Sequence, residues 1–329
     1  MIDEIHDALL GSRVVLDRAL HSLSCGLRTH LATEVFPVNE TLRKYVDCLR
    51  LNLRVISLAL SRKWIGRQDF EASYDRLAPH YDGAWQHFLR PVTDRLLSQI
   101  PPEATGRIVD LGCGTGYAAW QLASLFPQCA ITAVDLSSGM LQMAKTKFAT
   151  TPATFVHLDM LQYLAGQEEQ SVSLIVSAWA IGYSQPAAVI REAARVLKKN
   201  GLFAFVVNCA DTLQPIYQAF RKCMARYPES LARLALPNFP RSGSSLQKML
   251  VRSNFKTVWE QEGRHGITPP IDSQASMLPW LLQTGILAGF EHMLPLQHPG
   301  PVNAYFEQLM RQNNDLISHH YLAAIVRKL

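Results

Sequence analysis

Residues 108–116 read Ile-Val-Asp-Leu-Gly-Cys-Gly-Thr-Gly, an apolar run that leads into a glycine-rich turn. A second apolar run, residues 130–134, ends at Asp135, nineteen positions after the last of those glycines. Glycine has no Cβ and tolerates positive φ, so this turn allows the backbone to approach a ligand closely. A carboxylate at the tip of the next parallel strand is placed to accept hydrogen bonds from a ribose diol. The two segments together predict a cofactor that contains a nucleoside.

The spacing of the glycines separates two kinds of nucleotide site. In the nicotinamide fingerprint G-x-G-x-x-G, the third glycine follows the second by three positions and helps a helix N-terminus receive a pyrophosphate. Here the third glycine, Gly116, follows Gly114 by two positions, and Tyr117 stands where the fingerprint requires glycine. The spacing therefore favours a cofactor that carries no phosphate.

An acidic residue two positions before G-x-G-x-G resembles the first motif of the class I S-adenosylmethionine-dependent methyltransferase family, in its small-molecule-acting type. Asp110, Gly112, Gly114 and Gly116 match that motif, and the resemblance covers residues 70–262 and the final strand. It implies S-adenosyl-L-methionine as the cofactor and S-adenosyl-L-homocysteine as the product. It also implies an α/β fold with a doubly wound, mostly parallel seven-stranded sheet whose last strand is antiparallel.

Apolar strands alternate with amphipathic helices downstream of the glycine loop, as a doubly wound sheet requires. Lys198-Lys-Asn-Gly201 is predicted to cap one of these helices with cations and a glycine. The predicted helices cover residues 138–148, 186–197, 216–227 and 245–251, and the predicted strands cover residues 154–158, 172–176, 202–207, 255–260 and 320–326.

The resemblance also implies which residues meet the cofactor. In the family, an acidic residue after the third strand, here Asp159, commonly holds the adenine amino group, and the next amide, that of Met160, meets the ring. Ser177 and Ala178 end the fourth strand, where relatives pass beside the methionine portion of the cofactor. The complete expected set is Tyr74, Tyr81, Asp110, Gly112, Cys113, Gly114, Gly116, Asp135, Leu136, Met140, Asp159, Met160, Ser177 and Ala178.

A Tyr-Asp pair occurs twice within residues 70–82, with the spacing Tyr-Asp, x, x, Ala, x, x, Tyr-Asp. Many small-molecule methyltransferases of this class carry a similar segment before their first helix. The resemblance implies that the segment folds over the cofactor and that an aromatic hydroxyl approaches the methionine carboxylate. Tyr74 and Tyr81 are the candidates for this role, and simple helix packing is the alternative for each.

The composition is that of a soluble globular protein. The 329 residues allow about two domains, and no stretch approaches the roughly 18 to 20 consecutive apolar residues of a spanning helix. Residues 1–7 carry acids where a secretory signal carries bases, which predicts a cytoplasmic protein. The six cysteines show no C-x-x-C spacing. Neither a disulfide framework nor a bound metal is therefore expected.

Residues 1–67 precede anything that the methyltransferase core requires and are predicted to form a helical extension. Residues 40–67 hold seven Lys or Arg against two Asp or Glu. A basic amphipathic helix favours peripheral contact with a membrane, but packing onto the core or onto a second subunit, as in a homodimer, explains the apolar stripe more simply. No aromatic-interleaved basic patch accompanies the charge, so nucleic acid is not an expected partner. The stripe consists of Leu42, Val46, Leu49, Leu53, Ile56 and Leu60, which recur every three or four positions.

The rest of the chain is predicted to divide into three parts. Residues 68–262 form the cofactor-binding core, which includes a first insertion at 208–243, and residues 319–329 form the final core strand. Residues 263–318 are a second insertion, and a connection this long is usually functional or has structure of its own. It is rich in Leu, Met, Trp and Phe. We therefore expect a helical roof over the methyl-donor end whose apolar lining favours an apolar acceptor.

The implied reaction is methyl transfer to oxygen or nitrogen of a small, largely hydrophobic metabolite or lipid-like acceptor. The cofactor brings its own leaving group, so holding acceptor and methyl close and collinear supplies much of the acceleration. A proton acceptor is needed only if the nucleophile must lose a proton. Tyr183, His265 and His292 are candidates without a fixed family position, and His298 and His319 lie in the same region. Each histidine is more simply a surface or hydrogen-bonded core residue.

Two alternatives to methyl transfer are left by the sequence, because a fold does not fix a reaction. A bound sulfonium can serve a rearrangement or cyclisation in an enzyme of the same fold. The chain can also be a catalytically silent binding or assembly module that keeps the pocket.

Overall fold

Seven strands form one sheet within the part of the chain that the structure describes. The computed structural model describes residues 40–102, 105–150, 152–235, 238–269, 276–313 and 317–329. The helices predicted within residues 1–39 lie outside the described residues. The strands are β1 (Arg107–Leu111), β2 (Ala130–Asp135), β3 (Ala153–His157), β4 (Val172–Ala178), β5 (Leu197–Asn208), β6 (Phe255–Gly266) and β7 (Ser318–Lys328). Their order across the sheet is β3-β2-β1-β4-β5-β7-β6.

The direction of the strands confirms the predicted fold class. β1 pairs in parallel with β2 and β4, and the parallel pairing continues from β2 to β3 and from β4 to β5. β7 runs antiparallel to both β5 and β6. The fold is therefore a doubly wound α/β sheet with one antiparallel strand. The parallel strands share one carboxyl edge, where the loops after β1, β2, β3 and β4 meet, and ligands of such sheets bind at that edge.

Helices cover both faces of the sheet, which explains why the central strands are mostly apolar. Leu174 and Val176 of β4 belong to one apolar cluster, and Ile175 belongs to a second cluster. This is the alternation that successive strand residues must show. The helices are α1 (Glu40–Leu60), α2 (Arg67–Leu77), α3 (His87–Ser98), α4 (Tyr117–Leu125), α5 (Ser138–Lys147), α6 (Met160–Ala165), α7 (Pro186–Val196), α8 (Gln214–Arg226), α9 (Gly243–Arg252), α10 (Leu278–Leu281) and α11 (Pro301–Gln312).

The prediction that residues 198–201 cap α7 is wrong. α7 ends at Val196, and residues 198–201 belong to β5, which begins at Leu197. A register shift on the neighbouring strand β4 and a left-handed backbone at Asn200, with φ of +65°, accompany the longer strand. β6 and β7 are likewise longer than predicted, so the second insertion begins after residue 266.

α1 turns much of its predicted apolar stripe to solvent. Leu53, Ile56 and Leu60 are 59%, 44% and 81% exposed. The side of the helix that packs inward instead carries Val55 and Leu58. The expectation that the stripe packs onto the core is therefore wrong for these residues, whereas contact with a membrane or a second subunit stays a prediction. No described helix combines the length and the apolar character needed to cross a bilayer.

Residues 276–313 have secondary structure of their own, namely α10, α11 and two short 3-10 turns between them. Buried Glu307 of α11 accepts the amide of Leu278 at 2.7 Å, which joins the two helices. Arg76 of α2 donates to buried Glu291 at 2.6 Å. The second insertion is thus fastened to the helix that carries the first Tyr-Asp pair.

Candidate functional site

The glycine loop lies against the end of β2. Gly112 donates its amide to the carbonyl of Val134 at 2.8 Å, and Gly114 donates to Oδ2 of Asp135 at 2.7 Å. The other oxygen of Asp135 accepts the amide of Ser137 at 2.9 Å. Asp135 therefore holds the two loops that follow β1 and β2. A carboxylate has about four acceptor positions, so Asp135 retains capacity for a ligand.

The three glycines of the loop have different surroundings. Gly112 and Gly114 have φ values of +71° and +54°. A Cβ on Gly112 would lie 2.2 Å from the Cβ of Ala180, whereas a Cβ on Gly114 would meet nothing within 4 Å. Gly116 is the N-cap of α4, and a Cβ there would lie 2.9 Å from that of Ala144. Gly114 thus borders open space, whereas Gly112 and Gly116 are packing positions.

A cavity of about 360 Å³ lies at the carboxyl edge of the sheet. Its lining brings together most of the residues that the family resemblance implies. These are Tyr74, Tyr81, Gly112, Gly114, Asp135, Leu136, Met140, Asp159, Met160 and Ala178. Asp110 and Cys113 line an adjoining cavity of about 60 Å³, which shares Tyr81, Gly112 and Gly114 with the first.

Two residues of the expected set line neither cavity. Gly116 is a packing position against Ala144. Ser177 is fully buried, and its hydroxyl donates to the carbonyl of Leu111 at 2.8 Å. Because successive strand residues point to opposite faces, Ser177 fastens β4 to β1 while its neighbour Ala178 lines the cavity.

Within each Tyr-Asp pair, the aspartate and the tyrosine make different contacts. Asp75 accepts the hydroxyl of Ser137 at 2.6 Å. Asp82 accepts the hydroxyl of Thr115 at 2.5 Å and pairs with Lys147. The tyrosine before each aspartate lines the larger cavity. The aspartates therefore attach the segment to the loops that follow β1 and β2, and the tyrosines form part of the cavity wall.

The smaller cavity contains two ionisable side chains with unpartnered atoms. Within the described residues, both carboxylate oxygens of Asp110 and the Nε of Arg90 are buried without a hydrogen-bond partner. Burial, and after it the charge of Asp135, raises the pKa of Asp110 to about 7, which the nearby amide of Ala119 offsets only in part. The other polar residues of this lining are Gln86, Thr93, Thr115 and Tyr117.

Asp159 has a structural contact on each oxygen. Its Oδ1 accepts the amides of Leu161 and Gln162 at 3.0 and 3.1 Å and so caps α6. Its Oδ2 lies 3.4 Å from the Nε of Arg67, which also lines the larger cavity. This wall of the cavity is therefore an ion pair and not a lone carboxylate.

Aromatic side chains form a further part of the wall. Phe70 and Tyr74 meet the ring of Tyr183 edge to face, with centroid distances of 5.9 and 6.3 Å. Burial raises the pKa of Tyr183 to about 12 and raises those of Tyr74 and Tyr81 as well. All three are therefore neutral phenols near pH 7, which donate hydrogen bonds but cannot take up a proton.

Of the three catalytic candidates, Tyr183 lines the larger cavity and the two histidines do not. The Nε2 of His292 lies 3.3 Å from the hydroxyl of Ser73 on α2. His265 lies on β6, opposite His319 of β7. The structure thus places Tyr183 in the same cavity wall as the residues expected to bind the cofactor, whereas His265 and His292 do not line that cavity.

His319 occupies a different position from the other histidines. It is buried, with its Nδ1 2.8 Å from Oδ1 of Asn208, and its Nε2 has no partner among the described residues. Its ring centroid lies 5.0 Å from that of Trp179, which lines both cavities. His319 therefore packs against Trp179 of the cavity wall and does not itself line either cavity.

Several residues of the cavity linings belong to no recognisable sequence motif. Arg67 lies on α2, Gln86 on the π-helical turn Asp82–Gln86, and Arg90 on α3. No fixed spacing relates these positions to the glycine loop. Their one sequence signal is proximity to the Tyr-Asp segment.

The comparison with known proteins agrees with this geometry. Residues 108–201 match the family described as methyltransferase domain. The malonyl-(acyl-carrier protein) O-methyltransferase of Laribacter hongkongensis is 33% identical over 162 residues, an alignment that covers 45% of this chain and 53% of that protein. The enzyme of the same name from Geobacter sulfurreducens is 30% identical over 199 residues, which cover 59% of this chain and 72% of that protein. The chain thus spans about half the length of the first relative and more of the second.

Among solved structures, geranyl diphosphate C-methyltransferase from Streptomyces coelicolor A3(2) has a TM-score of 0.45 and 12% identity, covering 73% of this chain and 76% of that chain. A likeness of this size says nothing about the chemistry of the present site. The Geobacter relative, covered to 72% of its length at 30% identity, shows the family. The chain belongs to the class I S-adenosylmethionine-dependent methyltransferase family, and its cofactor is S-adenosyl-L-methionine.

Proposed function

We propose that this protein transfers a methyl group from S-adenosylmethionine to oxygen or nitrogen of a small, largely hydrophobic acceptor. The observation that carries the proposal is one cavity whose lining joins the glycine loop and Asp135 to the aromatic side chains of Phe70 and Tyr183. When bound, the cofactor supplies an electrophilic methyl group on a sulfonium. The aromatic wall excludes water and holds the acceptor in one orientation, which is where much of the rate enhancement of such a reaction arises.

The nucleoside is proposed to lie between the ends of β2 and β3. Asp135 would accept the ribose hydroxyls with the capacity that its two amide contacts leave. Asp159 uses Oδ1 to cap α6, so its Oδ2 is the atom available to the adenine amino group. Arg67 now pairs with that oxygen. Cofactor binding therefore requires Arg67 to move or to share it.

The methionine end is proposed to lie in the smaller cavity. A zwitterion supplies a partner to each unpartnered group there, because its ammonium pairs with Asp110 and its carboxylate pairs with Arg90. Buried polar groups without partners are rare in native structures. Their presence as an opposite-charge pair beside the glycine loop supports this assignment.

Asp110→Asn is expected to stabilise the cofactor-free protein while weakening cofactor binding about tenfold, the equivalent of one charge-assisted contact. The pKa of Asp110 lies above its ordinary value of 3.8, at about 7. The folded state therefore loses stability as the pH rises from about 4 to about 7, and the penalty is complete above that range. We expect the variant to gain several degrees in Tm at pH 8 and much less at pH 5.

The control for this prediction is Asp94→Asn, which changes an exposed carboxylate outside both cavities. The readout is the difference in Tm gain between the two pH values, because it cancels the pH-independent cost of burying an amide. An equal gain at both pH values would contradict the charge penalty. Unchanged cofactor affinity would contradict the contact with the ammonium.

The acceptor is proposed to be a group that presents its own lone pair. Within the described lining of the larger cavity, Tyr74, Tyr81 and Tyr183 are neutral phenols and cannot act as bases near pH 7. Asp135 is committed to the ribose in this assignment. An amine, or an oxygen that is already ionised, needs no base in the site. Tyr183 then positions the acceptor by donating a hydrogen bond.

A malonyl thioester is a second candidate acceptor, since the relatives named above are malonyl-(acyl-carrier protein) O-methyltransferases. A carboxylate acceptor needs a cation. Arg67 is the one cation in the described lining of the larger cavity, its side chain is 47% exposed, and it faces Asp159. This arrangement favours an acceptor with an uncharged aromatic or aliphatic skeleton over an acidic acceptor.

The test uses the full chain and cofactor labelled in its transferable methyl group. An apolar amine, an apolar phenol and a malonyl thioester are the offered acceptors, and the products are resolved by mass spectrometry. We expect label in the product of the apolar amine and little in that of the phenol, because a phenol must lose a proton and the site as assigned supplies no base for it. Label only in the malonyl ester would overturn the choice of acceptor, an unlabelled rearranged product would indicate the non-methylating alternative, and binding without any product would indicate a silent module.

Phe70→Ala is expected to lower kcat/KM for the acceptor about 10- to 100-fold while leaving cofactor affinity nearly unchanged. Phe70 lines the cavity, and an aromatic wall contributes through buried area and shape. Phe290 lies behind it, with ring centroids 6.4 Å apart, so Phe290→Ala is expected to have a smaller effect of the same kind. Steady-state kinetics and calorimetry on the same variants provide the measurements.

Trp280→Ala is the matched control, because Trp280 is buried in the second insertion, packs on Trp85 and Phe88, and lines neither cavity. It should lower Tm without changing acceptor kinetics in the folded fraction. Equal kinetic losses in the Trp280 and Phe70 variants would show that the aromatic residues act only through stability.

A further inference from the structure

Three side chains of metal-ligating types, two from strands and one from the residue after a third strand, meet near the carboxyl edge of the sheet, outside both cavities. Cys209 directly follows β5, Glu262 lies on β6, and His320 lies near the start of β7. Their ligand atoms, the thiol sulfur, a carboxylate oxygen and a ring nitrogen, lie within 4.8 Å of one another. The backbone fixes this arrangement, because the amide of Cys209 donates to the carbonyl of His320 at 2.8 Å.

His320 has the contacts of a metal-bound histidine. Its Nε2 lies 2.9 Å from Oε1 of Glu262, and its Nδ1 bonds to Oδ1 of Asp211. Asp211 is itself held by the guanidinium of Arg264 at 2.6 Å. In metal sites the ring nitrogen that does not bind the metal usually donates to a carboxylate, which fixes the tautomer and the ring orientation. Asp211 provides that contact and leaves Nε2 toward the cluster.

We propose that Cys209, Glu262 and His320 bind one divalent transition-metal ion of the zinc type, with Asp211 orienting His320. A thiolate, an imidazole and a carboxylate are ligands that zinc takes, whereas calcium and magnesium prefer oxygen alone. Three protein ligands leave one tetrahedral position for water. The side chain of Glu262 is 51% exposed, so the ion has a path from solvent.

Hydrogen bonding without a metal explains only part of this cluster. A protonated His320 between Asp211 and Glu262 forms two ion pairs, and Arg264 adds a third. That arrangement gives the thiol of Cys209 no role, although its sulfur lies within the same 4.8 Å. A metal uses all three groups, since a coordinating thiol gives up its proton. Arg264 and the divalent ion then balance the two carboxylates and the thiolate.

The site joins the two ends of the second insertion. Glu262 lies before that insertion and His320 lies after it, while Cys209 begins the segment that follows β5. A bound ion would therefore fix three chain segments that lead away from the sheet. An ion that binds the folded chain alone stabilises it by mass action, so metal should raise the Tm.

The experiment is a titration of the chelator-treated full chain with Co²⁺, followed by displacement with Zn²⁺. We expect one Co²⁺ per chain, a near-ultraviolet charge-transfer band that reports thiolate ligation, and a higher Tm in Zn²⁺. Cys209→Ser should abolish the band and the Tm gain. Asp211→Asn should keep the band but weaken Co²⁺ affinity about 10- to 100-fold, as loss of an orienting partner does.

Cys223→Ser is the matched control, because it removes a buried thiol on α8 outside the cluster. It should retain the band, the affinity and the Tm gain. Cofactor affinity, measured on every variant, verifies that each remains folded and separates this proposal from the proposed methyl transfer. Absence of saturable Co²⁺ binding to the wild-type chain, or a thiolate band that survives Cys209→Ser, would overturn the site.

Discussion

Asp135→Ala is expected to weaken the affinity for S-adenosylmethionine by roughly 10- to 150-fold, which corresponds to about 1.5 to 3 kcal/mol for charge-assisted hydrogen bonds. In the proposed site the ribose hydroxyls lose their acceptor. The amides of Gly114 and Ser137 lose theirs as well. The variant therefore also releases the glycine loop that borders the cavity, which places the expected effect toward the upper end of the range. Isothermal titration calorimetry measures it directly.

The control is Asp94→Ala, which removes an exposed carboxylate that accepts the hydroxyl of Tyr117 at 2.6 Å and lines neither cavity. Its cofactor affinity should stay within about twofold of wild type, the usual range of a surface substitution. Unchanged affinity in Asp135→Ala would mean that the nucleoside does not lie at the end of β2.

The sheet and the proximity of the glycine loop to Asp135 follow from the sequence because both depend on local patterns. Apolar runs with strand length, separated by helical periodicity, define a doubly wound sheet. In such a sheet the loop after β1 and the end of β2 must be neighbours. The structure accordingly brings Gly114 and Asp135 within hydrogen-bond distance.

Residues that reach the site from outside these patterns could not be predicted. Gln86 and Arg90 come from helices before β1, and nothing in their spacing indicates which side faces the small cavity. The proposed metal-ligating cluster could not be recognised in the sequence for a related reason. Its members, at positions 209, 262 and 320, lie on segments that only the pairing of β5, β6 and β7 brings together.

Periodicity alone also predicts the wrong buried face where an apolar stripe is exposed. On α1 the spacing of Leu53, Ile56 and Leu60 is that of a packed face, yet these residues are exposed. Inward packing falls on Val55 and Leu58, one helical turn apart on another side. The same spacing occurs on a helix that packs against its own chain and on one that leaves these residues exposed, so periodicity alone does not determine which side of α1 is buried.

Gly114→Val is expected to abolish detectable cofactor binding while the protein stays folded. A Cβ at this position meets no protein atom within 4 Å and enters the space beside Asp135. The branched side chain would fill volume that the methionine portion of the cofactor needs in the proposed site. The left-handed backbone, with φ of +54°, adds a strain of about 1 to 2 kcal/mol, which a domain of this size tolerates. Calorimetry tests the loss of cofactor binding, and thermal melts on the same sample test whether the variant stays folded.

Gly112→Val makes the contrast that decides the role of the loop. Its Cβ would lie 2.2 Å from that of Ala180, far inside van der Waals contact, and the clash is between two parts of the scaffold. We therefore expect this variant to be unfolded or strongly destabilised, whereas Gly114→Val retains a cooperative melt and loses only the cofactor. Normal cofactor affinity in Gly114→Val would show that the loop is merely a turn. A Tm loss in Gly114→Val as large as that in Gly112→Val would show that the space beside Gly114 is not a ligand site but part of the packed core.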